Sequence, residues 1–171
     1  MKCLALTIAA VLFAAMAPLP APAGAGLFGA GPAMAADTPP EAIIRSIYVQ
    51  YGPDSWPDDP YTATFSTELL KLWTEVDEGA KDDEEYAVDF DVFINAQDVD
   101  TVSNLTFQAH DETDSSVVID ASFEVFGEQQ MVTYTMIKTT AGWKIDDISW
   151  SPESGLKSML AELKQSQRKS R

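Results

Sequence analysis

Oxygen donors crowd one short stretch of this chain. From residue 89 the sequence reads Asp89-Phe-Asp-Val-Phe-Ile-Asn-Ala-Gln-Asp-Val-Asp100, which sets Asp89, Asp91, Asn95, Gln97, Asp98 and Asp100 among Phe90, Phe93 and Ile94. Carboxylates held beside apolar rings are costly to desolvate, so they must reach solvent, cap turns, bind a cation or contact a ligand. An all-oxygen donor set suits Ca²⁺. The spacing, however, lacks the glycine and the closing glutamate of a twelve-residue calcium loop, and no metal site is expected. A desolvated carboxylate can also serve as an acid or base beside a tyrosine. The third chemistry is structural: Asp91 and Asp98 accept from turn amides while Phe90, Phe93 and Ile94 pin the segment to a core. That role is the expected one.

Little else in the chain carries a catalytic signature. His110 is the one histidine and lies in a polar turn, so a zinc site would have to be built mainly from carboxylates and a Ser-His-Asp triad would have to use this residue. A solvated loop histidine is expected instead. There is no glycine-rich phosphate loop, no Walker-type lysine and no His-Glu-x-x-His helix. No cofactor is expected. The one cysteine, Cys3, falls in the leader described next.

Lys2, the apolar run Leu4 to Ala17 and a Pro/Gly/Ala-rich stretch ending Ala33-Met-Ala-Ala36 have the layout of a secretory signal peptide, residues 1–35, cut after Ala35. Its apolar run is shorter than the roughly 20 residues of a spanning helix, so no stable membrane insertion is expected after cleavage. The protein is therefore expected to be periplasmic or secreted. Cleavage removes Cys3, which excludes thiol nucleophiles, thiolate metal sites and disulfides from the mature chain. It also removes Lys2, leaving ten basic against 27 acidic residues, a formal charge of −17 where the whole chain has −16. A nucleic-acid partner is disfavoured because backbone binding needs a basic face. Half of the basic residues left by cleavage (Lys157, Lys164, Arg168, Lys169 and Arg171) sit near the C-terminus, which reads as a solvated last helix ending in a disordered tail from residue 166. Residues 36–171 are long enough for one domain with one core.

The elements that must position these groups follow from periodicity. Thr38, Pro39 and Glu41 read as the cap, first helical residue and capping-box partner of a helix whose apolar face is Ile43, Ile44, Ile47, Tyr48 and Tyr51, ended by Gly52-Pro53. A proline-rich loop runs from Asp54 to Tyr61 and exposes Trp56. Ser66 caps a second helix with stripe Leu69, Leu70, Trp73 and Val76, and Phe65 is placed to staple onto Leu70. The acidic run from Glu75 to Asp91 reads as a solvated face. Beyond residue 100 the period becomes two. Leu105, Phe107 and Ala109 mark one strand, and Val117, Ile119, Ala121, Phe123 and Val125 a second. Val132, Tyr134 and Met136 mark a third within 131–138. Ala141-Gly142 turns the chain into a fourth, Trp143 to Trp150, where a bulge at Asp146-Asp147 would set Trp143, Ile145, Ile148 and Trp150 on one face. Leu156, Met159, Leu160 and Leu163 form a last amphipathic helix. The fold class is α+β, N-terminal helices on a curved antiparallel sheet with a short C-terminal helix.

Four segments carry a resemblance: Arg45-Ser-Ile-Tyr48 with Tyr51, Phe65-Ser-Thr-Glu-Leu-Leu70, Asp89 to Asp98, and Gly142-Trp-Lys-Ile-Asp-Asp-Ile148. Together they resemble the secreted bacterial family known as domain of unknown function 3828, itself similar to the cone-shaped, cystatin-like folds of nuclear transport factor two-like proteins. Val92 stands where that family leads one to expect proline, and Val99 where it leads one to expect tryptophan. The resemblance implies an architecture and no established activity. A sheet of that shape capped by helices encloses a cavity, and Tyr48, Tyr51, Asp91, Gln97 and Asp98 are the candidates for its ligand-binding mouth. The leading expectation is a non-catalytic binding or interaction module for a small molecule or a periplasmic protein. The alternatives are a small cone-fold enzyme with an Asp/Tyr acid-base pair and an acidic, inhibitor-like protein that binds a partner.

Overall fold

The computed structural model describes residues 38–80 and 87–169. The segment expected to be a signal peptide, part of the acidic run and the last two residues of the expected tail lie outside the described residues. Helix α1 spans Pro40–Tyr48, one residue later than the sequence suggested. Pro39 precedes another proline and is held extended at φ −58 and ψ 146, so Pro40 takes the first helical position and no side chain caps the end. The anticipated capping box of Thr38 and Glu41 therefore does not form. The apolar face is as expected, with Ile43, Ile44, Ile47 and Tyr48 buried; Tyr51 follows in a turn, its amide donating to the Tyr48 carbonyl, and is also buried.

The proline-rich loop contains a short helix that the periodicity did not show, α2, Pro60–Thr64. Its start is written in Asp59-Pro60: the Asp59 carboxylate accepts from the Thr62 amide at 3.4 Å, and proline occupies the first turn. Five residues are too few to display a 3.6-residue period. Helix α3 spans Thr67–Asp77 and begins as expected, Ser66 Oγ accepting from the Leu69 amide at 3.1 Å. Phe65, just before the cap, packs against the rings of Tyr61, Trp73 and Phe93.

A curved five-stranded sheet follows in chain order, each strand antiparallel to the next: β1 Ser103–His110, β2 Ser116–Val125, β3 Glu128–Thr139, β4 Gly142–Ser151 and the two-residue β5 Ser154–Gly155. Strand β2 alternates without a break, and Val117, Ile119, Ala121, Phe123 and Val125 all face the core. The β2–β3 turn places Phe126 at φ 53 and Gly127 at φ 74, the paired left-handed conformation of a two-residue hairpin whose twist suits the strands. Across β3 and β4 the register runs Thr135 to Asp147 and then Met136 to Ile145. Asp146 is thus the extra residue of a bulge, and both Ile145 and Ile148 are fully buried because of it.

The bulge also aims two carboxylates at helix starts. Asp146 accepts from Ser66 Oγ at 2.7 Å and from Lys157 Nζ at 2.8 Å. Asp147 accepts from the Lys157 amide at 2.9 Å, satisfying a donor in the first turn of α4, Leu156–Lys169. Helix α4 buries Leu156 and Leu160 and pairs Lys164 with Glu75 of α3. It runs on to Lys169, so residues 166–169, read from the sequence as the start of a disordered tail, are helical. One core joins the faces of α1, α3 and α4 to one face of the sheet. No helix among the described residues is long and apolar enough to cross a membrane.

Candidate ligand-binding cleft

The acidic central stretch is a tight turn built on Asp91. Its amide donates to the Ala96 carbonyl at 2.8 Å, and its carboxylate accepts from the amides of Phe93 at 2.8 Å and Ile94 at 3.3 Å. Asn95 completes the reversal at φ 53, a left-handed conformation that asparagine tolerates better than most residues. The turn thrusts Val92, Phe93 and Ile94 into the core, where all three are fully buried. Phe90 is partly buried and packs against Trp150, and the Trp150 indole donates to the Val92 carbonyl at 2.9 Å.

Two tyrosines meet this turn, Tyr48 at the end of α1 and Tyr51 in the turn after it. Tyr48 donates to the Phe93 carbonyl at 2.7 Å and shares a 2.8 Å hydrogen bond with the Tyr134 hydroxyl. Each phenol has one proton; with that of Tyr48 committed to Phe93, Tyr134 is the donor of the second bond. Burial pushes both phenols above their ordinary pKa. Tyr51 donates to Asp91 Oδ2 at 2.6 Å, and burial, reinforced by that carboxylate, pushes its phenol up as well. For Asp91 itself burial raises the pKa, and the hydrogen bonds from Tyr51, Phe93 and Ile94 oppose the rise. Its two oxygens take three donors between them, an arrangement that suits an ionised acceptor held in place by the fold.

One wall of this turn borders a cleft of about 1060 Å³. Trp56 and Asp59 enter it from the loop after α1, and Tyr61 from α2. Helix α3 supplies Trp73, Val76 and Asp77, Ala87 and Val88 come from the segment just before the central stretch, that stretch supplies Asp89, Phe90, Asp91 and Gln97, and Leu160 comes from α4. Tyr61 stacks on Trp73 with ring centroids 4.6 Å apart and lies nearly parallel to Phe93 at 5.8 Å, which makes that wall a stiff aromatic layer continuous with the core. Trp56, 49% exposed, stands at the edge.

Of the five candidates, Asp91 and Gln97 line this cleft. Tyr48, 2% exposed, and Tyr51, 6% exposed, lie behind it in the core, where they tie α1 to the turn. Asp98 is exposed and does not line the cleft, nor does it accept from a turn amide as expected. Sequence reasoning missed Trp73, Asp77 and Tyr61 as lining residues. Trp73 was assigned to the apolar stripe of α3, and Tyr61 belongs to the helix that periodicity could not display. His110 sits on β1 between two carboxylates, Nδ1 3.1 Å from Asp111 and Nε2 3.3 Å from Asp120, and those partners raise its pKa. It is not among the residues that line the cleft. Among the described residues no three His, Cys, Asp or Glu side chains converge to hold a metal. Neither a scan against protein-family models nor searches among curated proteins and solved structures find a match to this chain.

Proposed function

We propose that this protein is a secreted or periplasmic binding module that takes a small molecule in the cleft between α3, α4 and the central turn, and that it is a member of the domain of unknown function 3828 family with a nuclear transport factor two-like cone. The observation that carries the binding reading is the cleft itself: about 1060 Å³ walled by aromatic rings with a few polar groups, the usual make-up of a small-molecule site. The curved antiparallel sheet with helices on one face supports the cone assignment. Val92, where the family leads one to expect proline, is fully buried, and Asp91 and Asn95 shape the turn in its place.

One observation favours a second reading, an enzyme using an acid-base pair: Asp91 lines the cleft and lies 2.6 Å from a tyrosine hydroxyl. Against it, the Asp91 oxygens are already engaged by Tyr51 and two turn amides, and Tyr51 has its hydroxyl turned to Asp91. A thermal-shift screen of the purified protein with pooled metabolites tests the binding reading. A ligand at a hundred times its dissociation constant stabilises by about 2.7 kcal/mol, a shift of several degrees for a domain of this size. No shift with any pool, combined with capture of a periplasmic protein partner, would move the function to the partner-binding alternative. Turnover abolished by Asp91→Asn would establish the enzymatic one.

A further inference from the structure

The cleft has a definite electrostatic sign. Trp56, Tyr61, Trp73 and Phe90 are its aromatic lining; Tyr61 is engaged by Trp73 and Phe93 and Phe90 packs on Trp150, so Trp56 and Trp73 are the rings left to meet a ligand, and a ring's π-face carries negative potential. Its carboxylates divide into two groups. Asp59 and Asp91 have structural work, Asp59 capping α2 and Asp91 holding the central turn. Asp77 and Asp89 are exposed, and their side chains make no hydrogen bond or ion pair with any described residue. No lysine, arginine or histidine is among the described residues lining the cleft.

These features narrow the ligand chemistry. Among the described lining residues an anion meets carboxylates and no cation. A bare metal ion needs several oxygens converging on one point, and no three described acidic or histidine side chains do so. A neutral apolar molecule gains from the rings but leaves the two uncommitted carboxylates unused. An alkylated ammonium gains from both, because its charge is spread over methyl groups that can lie against ring faces while nearby carboxylates supply the balancing charge. We infer that the cleft recognises an organic cation, an alkylammonium head set against the aromatic wall with Asp77 and Asp89 as its counter-charges. This rests on the reading of the cleft as a small-molecule site. Trp56, 49% exposed and on a loop, is among the rings available to such a head group.

The test is a titration of the purified protein with choline and, in parallel, with 3,3-dimethylbutan-1-ol, which has the same shape without the charge. Tryptophan fluorescence and backbone amide shifts provide the readouts. Choline is expected to saturate and to shift the amides of the cleft, with the neutral alcohol at least about tenfold weaker. Raising the salt concentration should weaken choline alone. The double variant Asp77→Asn/Asp89→Asn, both positions being exposed, should keep its circular dichroism and lose about tenfold in choline affinity while its affinity for the alcohol stays put. Equal affinity for the two compounds would overturn the cation inference and leave the binding reading standing. Silence of the cleft amides toward both would count against both. A cleft that saturates with Ca²⁺ and ignores choline would replace the organic cation with an inorganic one.

Discussion

Replacing Asp91 by alanine separates a structural carboxylate from a catalytic one. In the native protein it accepts from Tyr51 Oη at 2.6 Å, the Phe93 amide at 2.8 Å and the Ile94 amide at 3.3 Å. A hydrogen bond to a charged acceptor contributes roughly 1.5 to 3 kcal/mol, the long Ile94 contact at the low end or below it. The buried Tyr51 hydroxyl would also lose its acceptor, at about 1 to 3 kcal/mol. Against this, the variant no longer desolvates a carboxylate, and the Asp91 amide still donates to Ala96. The net expectation is a loss of about 2 to 4 kcal/mol for Asp91→Ala. Asp91→Asn keeps one acceptor oxygen for the amides and should lose about half as much. Urea unfolding followed by tryptophan fluorescence measures both. A loss under about 0.5 kcal/mol for Asp91→Ala would refute the assignment of this carboxylate to the turn and reopen its use in chemistry.

The same residue sets a pH dependence whose sign can be derived. Burial raises the Asp91 pKa in the folded state above that in the unfolded chain. The folded protein therefore binds this proton more tightly, and the associated stability is fully present below the unfolded value of about 3.9 and is lost as pH rises through the folded value. The advantage of the native protein over Asp91→Asn should then be larger at acid pH than at neutrality. Paired unfolding curves at pH 4 and pH 7 measure it. An advantage that grew with pH would mean that the three hydrogen bonds outweigh burial.

Phe93→Ala should cost about 3 to 5 kcal/mol in the same assay, since a fully buried ring packed against Tyr61 and Phe65 leaves a cavity behind. A cost under about 1 kcal/mol would mean the central turn is not anchored there. Asp146→Ala removes the acceptor shared by Ser66 and Lys157 and should lower stability by about 1 to 3 kcal/mol; no change in the melting temperature would show that the bulge ties nothing together. Millimolar Ca²⁺ should leave the melting temperature unchanged. A rise that Asp91→Asn and Asp98→Asn both abolish would instead make the central stretch a cation site.

The strands were legible because one face of β2, β3 and β4 is buried and period two is then compulsory; even the bulge at Asp146 could be read from the mismatch between Ile145 and Ile148. The start of α1 was misplaced by one residue because Thr38 and Glu41 mimic a capping box, while the Pro39-Pro40 pair fixes the boundary sterically. Helix α2 was hidden by its length. For the candidate site, composition pointed to a stretch of which Asp89, Phe90, Asp91 and Gln97 line the cleft, but residue type could not say which way each group turns. Tyr48 and Tyr51 face inward to the turn because they lie on and just beyond the buried face of α1, and Asp98 faces water past the left-handed Asn95 that redirects the chain after Asp91.

What decides between structure and function at the cleft is which polar groups already have partners. Asp91 and Tyr51 are the attractive chemical candidates, yet they are bound to each other and Asp91 also to the turn amides; Asp59, which the cleft adds, is bound to the first turn of α2. A group so engaged must break native hydrogen bonds to serve a ligand, and each costs about 0.5 to 1.5 kcal/mol even when the exchange is fair. Asp77 and Asp89 carry no such cost with the described residues. On the proposed reading, ligand recognition therefore falls to the side chains the fold does not need, set on elements it holds in place. Asp77 ends the helix whose start is clamped by Ser66 and the bulge, and Asp89 leads directly into the turn that Asp91 fixes. The carboxylates that shape the protein keep the cleft in place, and the ones beside them are left to set its charge.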